Sequence, residues 1–148
     1  AVVAPMSKNG GGHLVFVASG AAISGIYGYS AYCPSKFAVR GLAETLRIEL
    51  RTHSIAVTLV YPPDTNTPQL VCEIPLRPRA TQEIAATAGV WEPEQVAAAL
   101  VSGAQKAKFF VIPGLQLRLL NTFHSLIAPG FRTYQNWVVK RCNRTSPQ

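Results

Sequence analysis

The chain has 148 residues, 48% of them hydrophobic, with 14 Lys and Arg against 7 Asp and Glu, and 3 Cys. That length suffices for one buried core, and three Cys without metal-ligand spacing point to neither a disulfide framework nor a zinc site but to reduced thiols in a cytosol-facing protein. The formal charge is +7, yet no nucleic-acid-binding motif accompanies the bases, which argues against nucleic acid as a partner.

In chain order, Gly10-Gly11-Gly12 precedes an apolar run and reads as a loop. It cannot offer backbone amides at a helix N-terminus to a pyrophosphate, as a Gly-rich turn after a strand would. Leu14-Val15-Phe16-Val17-Ala18 has the pattern of a buried parallel strand, which puts Ser19 at a strand's carboxyl end, where open α/β sheets bind ligands. A plain turn serine is the structural alternative. The small residues Gly20-Ala21-Ala22-Ile23-Ser24-Gly25 would let a flat ligand approach the backbone.

A helix is predicted from about Ala31 to Arg51, with Ser30 as N-cap and Pro34 in its first turn. Its apolar positions include Phe37, Leu42, Leu46 and Leu50, leaving Arg40, Glu44, Arg47 and Arg51 to solvent. Tyr32 and Lys36 stand four apart on this helix and so share a face. An ammonium beside the Tyr32 hydroxyl favours the ionised phenol, which suits carbonyl reduction. Alone the pair is weak, because the chain has five Tyr. Ile55-Ala56-Val57-Thr58-Leu59-Val60-Tyr61 is the next strand, and strand, helix, strand at this spacing is a parallel crossover unit.

Residues 64 to 91, with Pro68, Pro75, Pro78 and the bases Arg77 and Arg79, read as irregular, which by itself suits a plain surface loop. Glu92-Pro93-Glu94-Gln95 opens a helix running to about Gly103, and Phe109-Phe110-Val111-Ile112-Pro113 is a candidate last strand. All seven acids precede residue 95, matched there by seven bases, so the excess charge lies in Lys106, Lys108, Arg118, Arg132, Lys140, Arg141 and Arg144. Leu115, Leu119, Phe123, Leu126 and Ile127 recur at helical spacing among those bases, a basic amphipathic pattern that suits a membrane surface. The bases interrupt every candidate membrane span. A substrate-pocket wall or the face of a homo-oligomer is the alternative use of this segment.

Val15-Phe16-Val17-Ala18-Ser19 and Tyr32-Cys33-Pro34-Ser35-Lys36-Phe37-Ala38-Val39-Arg40-Gly41-Leu42-Ala43-Glu44 resemble the catalytic half of the short-chain dehydrogenase/reductase superfamily. Tyr61-Pro62-Pro63-Asp64-Thr65-Asn66-Thr67-Pro68 resembles its 3-ketodihydrosphingosine reductase branch, where Pro-Pro-Asp-Thr replaces the commoner Pro-Gly turn. The resemblance covers about residues 1 to 104. It implies an α/β fold, the C-terminal half of a doubly wound Rossmann-type parallel sheet truncated at the N-terminus, because no Gly-rich dinucleotide turn precedes the catalytic strand and Ala1 to Met6 resembles the tail of the preceding helix. Residues 1–114 would then form the catalytic half and 115–148 a basic amphipathic extension.

The resemblance further implies a catalytic trio of Ser19, Tyr32 and Lys36 and nicotinamide-cofactor contacts from Tyr32, Lys36, Pro62, Thr65 and Thr67, with Pro63 departing from the usual Gly. The branch implies NADPH as cofactor, a long-chain ketosphingoid as substrate and the cytosolic face of the endoplasmic reticulum membrane as location. Two other readings stand beside it: another reductase of the superfamily acting on steroids or retinoids, and a non-catalytic membrane-associated fragment.

Overall fold

The computed structural model describes residues 1–145. Its centre is a parallel sheet in the order β1-β2-β5, built from β1 (Gly12–Val17), β2 (Ile55–Val60) and β5 (Phe110–Val111). β1 and β2 run in register from Gly12 against Ile55 to Val17 against Val60. They are joined by α2 (Tyr32–Glu49) and a 3₁₀ turn at Leu50–His53, the parallel crossover that their spacing predicts. Among the described residues β1 pairs on one edge alone, and Val15 and Val17 are exposed there.

The core forms where α2 and the segment after β1 cover the sheet: Ala22, Ile23, Ala43, Leu59 and Tyr61 are fully buried. α2 meets the sheet through Val39, Ala43, Leu46 and the following Leu50, so Leu46 and Leu50 pack as expected while the other two expected apolar positions are corrected. Phe37 and Leu42 are exposed, and Arg40 is half-buried, bonded to Glu44 at 2.8 Å and reaching the Ala22 carbonyl at 3.4 Å. Ser30 is not the N-cap either. Ala31 holds that position in helical conformation without a side-chain cap, and Cys33 N–H donates back to the Tyr29 carbonyl, so the preceding turn feeds straight into the helix.

The segment 64–91 is not irregular. It holds β3 (Asp64–Thr65), α3 (Pro68–Glu73), a 3₁₀ turn (Ile74–Leu76), α4 (Arg79–Ala86) and β4 (Val90–Trp91), which pairs in parallel with β3. Thr67 starts α3 by accepting from Leu70 N–H, with Pro68 in the first helical position, a cap-and-proline pair that favours helix starts. α5 (Pro93–Gln105) follows, opened by a capping box between Glu92 and Gln95.

The tail forms α6 (Leu115–Thr122) and α7 (His124–Thr145); α1 (Val3–Lys8) packs its Met6 against the core. α7 lies on α4, burying Val138 and Cys142 against Ala80 and Ile84. It is also pinned to the segment after β1, since Gln135 donates to the Gly25 carbonyl (2.9 Å) and accepts from Tyr27 N–H (3.2 Å). Among the described residues no helix is long and apolar enough to cross a membrane.

Candidate active site

The site lies beyond the carboxyl ends of β1 and β2, where the crossover leaves a crevice. Ser19 follows β1 in extended conformation and its Oγ accepts from Ala21 N–H at 3.2 Å, which leaves its own O–H available as a donor. Tyr32 opens α2 and is 37% exposed. Both residues line one cavity of about 230 Å³. Lys36 Nζ sits 5.3 Å from the centroid of the Tyr32 ring, so the four-residue spacing does join the pair, through the ring face.

The remaining residues expected to meet a cofactor divide. Pro62 lines the cavity, together with Pro63 and Asp64, whereas Lys36, Thr65 and Thr67 are not among its walls. The Thr65 hydroxyl donates to the Pro63 carbonyl at 3.0 Å, and the Thr67 hydroxyl is engaged as the cap of α3. Cys33 beside Tyr32 is buried, and that burial pushes its thiol up, which suits packing rather than attack.

Sequence reasoning missed three polar members. Tyr29, one helical turn before Tyr32, places its ring 5.1 Å from the Tyr32 ring. Arg77 holds Asp64 in a two-bond fork, Nη1 to Oδ2 at 2.5 Å and Nη2 to Oδ1 at 3.1 Å, and also donates to Glu73 Oε2 at 3.2 Å. Its guanidinium carbon lies 5.8 Å from the Tyr29 ring centroid. Burial pushes Tyr29 up to about 12, the Arg77 charge opposing and Asp64 and Glu73 adding, so the phenol stays a neutral donor at physiological pH. The Asp64 hydrogen bond chiefly raises Arg77 and keeps it charged. Only the Glu73–Arg77 spacing of four was visible in sequence; the approach of Asp64 and Tyr29 is tertiary.

The rest of the cavity is mostly apolar, lined by Ile26 and Ile84 and by Leu117, Leu120, Ile127 and Phe131 from α6 and α7. The tail therefore does supply a pocket wall. Its outer residues Leu115, Leu119, Phe123 and Leu126 remain exposed. Among the described residues no cluster could hold a metal ion.

Residues 1–73 match the profile of the short chain dehydrogenase family. The chain is 42% identical over 135 residues to 3-ketodihydrosphingosine reductase of Dictyostelium discoideum, covering 90% of this chain and 39% of that protein. It is 46% identical over 109 residues to 3-dehydrosphinganine reductase of Danio rerio, covering 74% and 33% respectively. The chain thus spans about two fifths or less of the length of these curated relatives. A short chain dehydrogenase from Burkholderia cenocepacia, solved with NADP, superposes with a TM-score of 0.70 at 17% identity, over 89% of this chain and 50% of that one. A 7α-hydroxysteroid dehydrogenase, solved with NADH and 7-oxo glycochenodeoxycholic acid, gives 0.62 at 25% identity, over 78% and 49%.

Proposed function

Because this chain belongs to the short-chain dehydrogenase family, we propose that it carries the reacting half of an NADPH-dependent reductase that turns the keto group of 3-ketodihydrosphingosine into the hydroxyl of dihydrosphingosine. The observation that carries this reading is the meeting of Ser19 and Tyr32 in the mouth of one apolar cavity, within a chain 42% identical over most of its length to a reductase of that name.

The donor set fits a nicotinamide cofactor. Hydroxyls of Ser19 and Tyr32 and the ammonium of Lys36 gather beyond the carboxyl ends of parallel strands, where such cofactors bind. Tyr32, Lys36 and the backbone at Pro62 and Thr65 would hold the nicotinamide ribose and carboxamide, with Thr67 contributing if it leaves its cap. A bound reduced nicotinamide supplies the hydride. Tyr32 then gives its proton to the oxygen on which negative charge develops. Ser19 donates a hydrogen bond to the same oxygen, and that bond strengthens as the charge grows. The Lys36 charge over the ring offsets the negative charge left on the phenolate, whose proton is restored from solvent. Ile84, Leu117, Leu120 and Phe131 give the cavity apolar walls beside the reacting atoms.

A cavity of about 230 Å³ is below the roughly 300 to 1,000 Å³ of drug-sized sites, so it takes the polar end of a long-chain ketone. The alkyl chain runs out past Ile127 to the exposed Leu126 and Phe123. A lipid substrate reaches such a mouth from a bilayer, and the basic, apolar tail suits docking on the cytosolic face of the endoplasmic reticulum membrane.

In the complete protein, Tyr32→Phe is expected to lower NADPH-dependent turnover of 3-ketodihydrosphingosine by about 100-fold or more, with the circular dichroism of the fold retained. Turnover like that of the wild type would overturn the assignment.

A further inference from the structure

Asp64 and Arg77 are the charged side chains in the walls of the cavity, in a lining that is otherwise neutral and mostly apolar. Arg77 is bonded to two carboxylates, Asp64 and Glu73, so the cluster as a whole carries one unbalanced negative charge beside Tyr29 and Tyr32. Of the two carboxylates Asp64 is the more enclosed, 26% exposed against 40% for Glu73, so its charge is only partly solvated and favours a partner of opposite sign in the cavity.

Hydrogen-bond capacity is also left over. A carboxylate has about four acceptor positions, and the Arg77 fork takes one on each Asp64 oxygen. The Arg77 side chain is 9% exposed, and its buried Nε has no hydrogen-bond partner among the described residues. The free acceptors of Asp64 thus line the cavity one tyrosine ring away from the proton donor.

We propose that Asp64, held in place by Arg77, receives the ammonium group on the carbon beside the substrate's ketone. The inference rests on the reductase reading above and names how that site recognises its substrate. A 2-amino-1-hydroxy-3-ketone has this order of groups: with the ketone oxygen at Ser19 and Tyr32, the ammonium is one carbon away and the hydroxyl two. Fixing the ammonium at Asp64 and the ketone oxygen at Ser19 and Tyr32 orients the ketone, so that one face is presented to hydride. A ketone without an amine, a steroid for instance, leaves the cluster with its charge unbalanced, and this counts against its binding.

Steady-state kinetics of the complete enzyme with NADPH tests this, using 3-ketodihydrosphingosine and the same long-chain 1-hydroxy-3-ketone lacking the amine. The wild type is expected to favour the amino ketone by about 10- to 100-fold in kcat/KM, the range of a hydrogen bond to a charged group. Asp64→Asn is expected to erase that preference, lowering kcat/KM for the amino ketone far more than for its analogue and chiefly through KM. Equal kcat/KM for the two ketones in the wild type overturns the inference alone, even where Asp64→Asn fails to fold. An Asp64→Asn enzyme that loses both activities by the same factor also overturns it. Reduction of neither ketone by the wild type overturns the reductase reading and this inference with it.

Discussion

Tyr61 is fully buried at the end of β2, and its hydroxyl has no hydrogen-bond partner among the described residues. Burial pushes its titration from 10.0 up to about 12, with Arg40 opposing. Below pH 10 both the folded and the unfolded chain keep the proton. Between about 10 and 12 the unfolded chain loses it while the folded one retains it, so stability falls as pH rises through that window. Tyr61→Phe removes both the orphaned hydroxyl and this alkaline loss. Denaturant unfolding is therefore expected to find the variant at least as stable as wild type at pH 7, with a gap in its favour that widens above pH 10. A gap that stays constant from pH 7 to 12 would contradict this. At this scale Tyr32 and Lys36 were legible in sequence, because residues four apart share a helix face whatever the helix packs on. Arg77 was not, because its partner Asp64 stands 13 residues away across α3.

At the scale of elements, α5 crosses the sheet where Gly103 meets Val111 of β5, and a Cβ at Gly103 would fall on the Val111 Cγ2. Alanine has the better helix propensity by about 1 kcal/mol, but the clash forces backbone or rotamer shifts of about 1 to 3 kcal/mol. Gly103→Ala is accordingly expected to lower the thermal midpoint of the protein, and a raised midpoint would mean that α5 can slide away from β5. The same contrast between local and tertiary control runs through the other elements. α5 was readable from Pro93 and its acidic start, and β1 and β2 from their apolar runs. α3 and α4 were hidden because three prolines suggested a loop, although Thr67-Pro68 is itself a helix-start signal. The Ser30 cap failed because the turn at Tyr29 already supplies the first bonds of α2.

For the whole molecule, the tail is both a wall of the cavity and an exposed apolar surface, so deleting it would remove Val138 and Cys142 and uncover Ala80 and Ile84 of α4. Surface substitutions separate the roles. Phe123→Ser with Leu126→Ser removes exposed apolar area and should reduce co-sedimentation of the complete protein with anionic vesicles at any salt. Arg132→Glu with Lys140→Glu should reduce it mainly at low salt, at about 1 kcal/mol per base near the surface. Recovery equal to wild type for both variants would dismiss the membrane role. The sequence by itself determined the parallel crossover, the positions of Ser19 and Tyr32 at strand and helix ends, and the concentration of positive charge in the tail, because each depends on local periodicity or on counting. Only the tertiary structure decided which face of α2 is buried, that α6 and α7 close the cavity, and that Asp64, Arg77 and Tyr29 meet beside Tyr32. Those contacts join segments far apart in the chain, and their geometry is set by how helices pack across the sheet rather than by any spacing along it.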